Sequence, residues 1–189
     1  IALGVSGCLI TKGTDLSAGR QAALAATLTG VMVQRIDYSG RLWTWMPEMN
    51  MWIVLLIVLV IGAGIGLVSG TIVANLKVPP FIATLGTMMV SRGLSALIAG
   101  VPNIFYPTGT WFNKTFSSYN AFPIGLVWVL GLTIICMVVM YKTKVGRYIL
   151  AIGSNEEAAR LSGINVDKYK IIAYCIGGLF AGMAALFYT

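Results

Sequence analysis

The chain has 189 residues, of which 58% are hydrophobic and 10% charged; its formal charge is +7 and its mean hydropathy +0.86. No ordinary soluble domain of this length is so apolar, and the basic residues fall in short clusters beside hydrophobic runs, so the composition indicates an integral membrane protein and no nucleic-acid partner. There is no histidine, and Cys8, Cys136 and Cys175 lie far apart in apolar runs; this excludes thiol–histidine nucleophiles and most transition-metal sites, and the cysteines are expected to be buried small hydrophobes.

With about 20 apolar residues needed to cross the hydrocarbon core, six spans are expected. They are Ile1–Ile10 (incomplete), Leu16–Val33, Met51–Ala74, Phe81–Gly100, Phe122–Tyr141 and Ile171–Thr189. The runs are apolar on every side, so the expected fold is an all-α polytopic bundle rather than a barrel. Lacking an initiator Met and ending in an apolar run, the sequence reads as one transmembrane domain, residues 1–189, cut from a longer polypeptide. The stretch Lys142–Lys170 holds six of the thirteen Lys and Arg residues and is expected on the cytoplasmic side, with the Asn75–Pro80 turn. Gln34–Asn50 and Val101–Ala121 are then external. Arg35 and Arg41 go against that rule; Trp43, Trp45, Trp52 and Trp111 suit external headgroup level.

In chain order, the first polar break is Thr11–Arg20, TKGTDLSAGR, where Gly13 interrupts the run and Thr14 or Asp15 can cap a helix starting at Leu16. Two readings stand. At depth in the membrane, Asp15 and Ser17 would border a transport path; as a turn at the surface, they are a helix cap. Gly62, Gly64, Gly66, Ser69 and Gly70 form a small-residue stripe for close helix packing. Pro79 and Pro80 end one helix and open the next, on which Thr84, Thr87 and Ser91 share a face. These hydroxyls either meet a passing polyol or satisfy neighbouring carbonyls. Arg92, inside the span by count, needs a partner, water or the interface. The external aromatic-rich loop Val101–Ala121 reads as an interfacial belt.

Between the last two spans, Ser154 and Glu157 have capping-box spacing for a helix of about two turns. Glu156 and Arg160 are spaced as an i,i+4 pair, and Gly163 is fitted to end the helix. Ala158, Ala159 and Leu161 give it a small apolar face, and so short a helix needs a surface to lean on.

No phosphate-binding GxxxxGK[ST] loop occurs, and no nucleophile, base and orienter converge, so the chain is not read as an enzyme and no cofactor or metal is expected. Sparse intramembrane charge, limited to Asp15, Arg20 and Arg92, argues against a proton or sodium relay and favours a neutral, hydroxyl-rich solute.

Three stretches in this order, GTDLSAGR (13–20), NLKVPPFIATLGTMMVSRG (75–93) and AIGSNEEAARLSGINV (151–166), together resemble the signatures of bacterial ABC-importer permeases for monosaccharides, with the TDLSAGRQ form pointing to the galactose and galactoside systems. The resemblance implies a homodimeric permease of roughly ten helices in the bacterial inner membrane, fed by a periplasmic or extracellular sugar-binding protein and driven by a separate cytoplasmic ATPase subunit. Gly153, Asn155, Glu157, Ala158, Ala159 and Gly163 match the family's cytoplasmic coupling segment, to which the Glu156–Arg160 pair belongs; Ser154 stands where Gly is common. Asp15, Ser17 and Gly19 match its DLS motif, implying a place in the path or gate; Thr84, Thr87 and Arg92 are pathway candidates from their own positions on the span that follows Pro80. The rivals are an ATP-independent secondary sugar carrier or facilitator and a membrane scaffold without transport activity.

Overall fold

The computed structural model describes residues 1–34, 43, 45, 47, 49–99, 118–119 and 122–188. Among the described residues its regular elements are all helices apart from one two-residue antiparallel ladder, β1 (Ser118–Tyr119) with β2 (Phe122–Pro123). The helices are α1 (Ala2–Ile10), α2 (Ala18–Val33), α3 (Met51–Ala74), α4 (Pro80–Ala99), α5 (Ile124–Lys142), α6 (Lys144–Ser154), α7 (Glu156–Leu161) and α8 (Val166–Tyr188). Arg35, Arg41, Trp111 and most of the loop 101–121 expected to be external lie outside the described residues.

Four helices, α3, α4, α5 and α8, are long and apolar enough to cross a bilayer. Of the other two expected spans, α2 has 16 residues, about 24 Å at 1.5 Å per residue, and α1 has nine. Between them runs a non-helical segment rather than a tight turn.

The bundle is built around α8. Its largest partner is α3, and the approach is close because both helices present glycine. A Cβ at Gly62 or Gly66 would strike the backbone of Gly178 or Tyr174, and one at Gly70 would press on Ile171, whereas Gly64 faces open space. Backbone-to-backbone contact of this kind is what a small-residue stripe provides where lipid offers no hydrophobic drive for helix association. The stripe expected from sequence is thus the α3–α8 seam, with Gly64 off it.

Side chains fill what the glycines leave. At one end Leu24, Leu28 and Met32 of α2 pack on Val54 and Val58 of α3 and Ala185 of α8. At the other, Cys8, Val73, Ala83, Ile149, Ala173 and Tyr174 form a second cluster. That second end carries the 75–79 turn and α6–α7, together with most of the Lys and Arg residues, and is called the basic end below. Outward faces of α3, α4 and α5 expose Leu56, Val60, Val90, Leu97, Ile134 and Val138, as lipid-facing helices should. Cys8 is buried as expected, but Cys136 and Cys175 are only half-buried, because they sit on helix flanks that this part of the bundle leaves uncovered.

Candidate functional site

Two polar elements meet at the basic end. The first is the break, residues 11–17. Its side chains alternate, Thr11, Gly13, Asp15 and Ser17 buried and Lys12, Thr14 and Leu16 exposed, which is the period of extended chain. Lys12 takes φ +59, an uncommon conformation for a residue with a side chain, and this reverses the chain after α1.

The break climbs inside the bundle. Ile10 touches the basic-end helix α6, Gly13 lies against the Tyr174 hydroxyl, and the Asp15 carboxylate comes beside Gly177, midway along the 23-residue α8. The segment is therefore buried within the bundle against α8 and is not an exposed turn. Irregular backbone buried in a bundle needs protein partners, and the Lys12 and Gly13 amides find them in the Leu9 and Cys8 carbonyls. The Thr14 carbonyl accepts from the Tyr174 hydroxyl at 3.5 Å; Thr84 Oγ1 lies 3.3 Å from it, while donating mainly to the Pro80 carbonyl at 2.8 Å.

Asp15 does not cap a helix at Leu16. The helix starts at Ala18, and Asp15 Oδ1 instead accepts from the Ser17 amide at 2.9 Å and the Ser17 hydroxyl at 2.6 Å. Ser17 Oγ in turn accepts from Gln21 Nε2 at 2.6 Å. Gln21 is a residue the sequence reading overlooked: it is 2% exposed, and its Oε1 has no hydrogen-bond partner among the described residues. Its signal lay in the i,i+4 spacing from Ser17.

The opposite edge of this break is open. Leu16, Gly19 and Arg20, with Met88 of α4, line a recess of about 520 Å³. Asp15 and Ser17 face away from it. Thr84, Met88 and Arg92 recur at four-residue spacing on one face of α4; Thr84 is fully buried and Arg92 exposed. Thr87 turns toward α3, where its Oγ1 accepts from Ser69 at 3.2 Å.

The second element is the segment α6–α7. The sequence reading placed residues 144–154 in the charged connection after Tyr141 and expected no helix there; they form an amphipathic helix that buries Gly146, Ile149 and Ile152 and exposes Lys144 and Arg147. The capping box at Ser154 is not formed. Ser154 belongs to α6, and Asn155 caps α7 by accepting from the Ala158 amide at 3.1 Å, since its extended backbone (φ −149) breaks the chain between the helices. The rest of the expectation holds in place. Arg160 reaches Glu156 at 3.5 Å, and Gly163 adopts φ +81, ending the helix after one and a half turns.

Ala159 packs on Ile152 and Val166, which is the surface α7 leans on. Glu157, Ala158 and Leu161 point away from the bundle, and Leu161 is 89% exposed. The three alanine and leucine positions therefore do not form one face: Ala159 looks in, Ala158 and Leu161 look out.

The two elements touch. A Cβ on Gly153 would collide with the Ile10 carbonyl, so the end of α6 rests on the end of α1, one residue from the break. A chain of ion pairs adds a second link, Lys77–Asp167 at 2.7 Å, Asp167–Arg160 at 3.7 Å, Arg160–Glu156 and Glu156–Lys170 at 2.8 Å. It joins the turn before α4 to α7 and the start of α8. No grouping of His, Cys, Asp and Glu suited to a metal occurs among the described residues.

The fold is that of a polytopic helical membrane protein in which a buried polar break touches a segment ending in a short exposed helix. Comparison with known proteins gives the family: residues 1–189 match the model described as branched-chain amino acid transport system / permease component, and the chain belongs to that family. It is 39% identical over 187 residues to the galactose/methyl galactoside import permease protein MglC of Escherichia coli K12, covering 95% of this chain and 56% of that protein. To the ribose import permease protein RbsC of the same strain it is 35% identical over 198 residues, covering 98% and 56%. The fructose import permease protein FruG of Bifidobacterium longum is 31% identical over 192 residues, with 96% and 53% covered. The chain thus spans about half the length of these relatives. No solved structure matches it.

Proposed function

We propose that this chain forms part of the membrane-spanning permease subunit of an ATP-driven monosaccharide importer, with galactose or a galactoside as its solute. What supports this reading is similarity along the whole chain to import permeases named for galactose and ribose, combined with a capped helix, α7, whose outer face has nothing to bury against within the described residues. On this reading segment 142–170 is cytoplasmic. Gly153, Asn155, Glu156, Glu157, Ala158, Ala159, Arg160 and Gly163 build the element that a separate ABC ATPase subunit pushes, in a homodimeric inner-membrane assembly fed by a sugar-binding protein.

The division of labour within that element follows from exposure. Glu157, Ala158 and Leu161 meet the ATPase; Ala159, Gly153 and the Glu156–Arg160 pair transmit its displacement. A helix braced at both ends moves as a body, and the Gly153–Ile10 contact delivers that motion to the break. Asp15, Ser17 and Thr84 hold the break's shape from behind, while Gly19, Arg20, Met88 and Arg92 border the solute; Thr87 fixes α4 against α3. Arg20 and Arg92 offer planar donor arrays suited to sugar hydroxyls without demanding a charged solute.

The intact permease, reconstituted with its binding protein and ATPase in proteoliposomes, tests this. Uptake of radiolabelled galactose that requires ATP and exceeds ribose uptake agrees with the proposal. Equal uptake without ATP contradicts it in favour of a facilitator.

A further inference from the structure

The helix α5 is the outlier of the bundle. None of its residues is buried, and it holds to the rest chiefly through α6. Between it and the pair α1–α8 lies a cavity of about 270 Å³, lined among others by Leu3, Gly7, Cys136, Met140, Ile149 and Ile176. The lining is almost wholly carbon and sulfur, and Cys136 Sγ reaches the Leu3 carbonyl only at 3.9 Å. A wedge of this chemistry rejects water, which needs polar partners, and accepts an apolar guest.

The mouth of the wedge is basic. The turn from α5 to α6 that carries Met140 and Ile149 into the lining carries Lys142, Lys144 and Arg147 between them, all three exposed. Elsewhere at this end Lys77, Arg160 and Lys170 pair with Asp167 and Glu156, and Lys12 and Lys168 stand singly among the described residues, away from the wedge lining. Lys142, Lys144 and Arg147 take part in none of the ion pairs among the described residues. They also stand on or beside α6, whose apolar face packs on the bundle and whose basic side chains are exposed.

We propose that this wedge binds an anionic phospholipid, one acyl chain between α5 and α1–α8 and the headgroup phosphate held by Lys142, Lys144 and Arg147. Basic pockets between membrane helices recognise anionic headgroups in this way, by charge at the interface and chain burial beneath. The site is independent of the sugar-import reading. It lies directly behind α6, so an occupied wedge sets the angle at which α6 presents α7.

Native mass spectrometry of the full-length protein, loaded with phosphatidylglycerol or with phosphatidylcholine of identical chains, tests the site. The wild type is expected to retain phosphatidylglycerol at least five-fold more than phosphatidylcholine. Replacing Lys142, Lys144 and Arg147 together by Gln is expected to abolish that difference, and Ser6→Phe, which fills the wedge, to reduce retention of both lipids. Equal retention by the wild type overturns the proposal, as does a preference that survives the Gln variant. So does absence of retained lipid, the result expected if another segment of the full-length chain closes the wedge. If Ser6→Phe fails to elute as folded protein, the Gln variant, which alters only exposed side chains, carries the test.

Discussion

Gly153 sits against the carbonyl of Ile10 with no room for a side chain, so the segment that ends in α7 bears on the last residue before the buried break. The obstacle to a side chain there is backbone, which cannot rotate away. Gly153→Val is therefore expected to push α6 off α1 and uncouple the two elements. ATP-dependent uptake should fall at least ten-fold, while the α3–α8 seam, distant from the change, keeps the protein folded by size-exclusion profile. Unaltered uptake would mean that the contact transmits nothing.

The Lys77–Asp167 pair is exposed, and its worth to stability is correspondingly small, under about 1 kcal/mol for such pairs in water. Its position matters more, because it ties the turn before α4 to the start of α8. Asp167→Asn should leave the melting temperature within a few degrees yet reduce coupled transport several-fold. Exchanging the pair, Lys77→Asp with Asp167→Lys, should restore part of the loss; a double-mutant cycle with no interaction term would remove the pair from the mechanism.

At the α3–α8 seam, Gly66→Ala forces a methyl into the Tyr174 backbone, whereas Gly64→Ala meets nothing. Overpacking of this kind costs about 1–3 kcal/mol. Thermal unfolding in detergent should show Gly66→Ala clearly destabilised and Gly64→Ala close to wild type. Equal behaviour of the two would mean that the helices do not cross here.

Ser17 both donates to Asp15 and accepts from Gln21, so Ser17→Ala strands a carboxylate contact and a second amide atom on Gln21 in a buried site. An unsatisfied buried group costs about 1–3 kcal/mol. The expected outcome is a lowered melting temperature that the second change Gln21→Met largely reverses, since it removes the stranded amide altogether. A Ser17→Ala protein as stable as wild type would show the trio to be dispensable.

The four long helices were legible because twenty-residue apolar runs leave a chain in lipid few alternatives, and the glycine stripe announced its own role. The burial of the break was not, since TKGTDLSAGR has the same composition whether it turns at the surface or packs beside Gly177; only the packing of Gly13 on Tyr174 decides. The cap of α7 was misplaced by one residue because Ser154 and Asn155 are both good caps, and the choice rests on where α6 ends. The Lys77–Asp167 pair was invisible, its partners being 90 residues apart in sequence.

Most direct is a test of the outer face of α7. Glu157 is exposed and makes none of the ion pairs among the described residues, so Glu157→Lys should leave the permease intact. With folding monitored, the variant is expected to lose both co-purification of the ATPase subunit and ATP-dependent galactose uptake. A folded Glu157→Lys permease that still carries its ATPase and imports galactose at the wild-type rate would contradict the assignment of this segment as the coupling element.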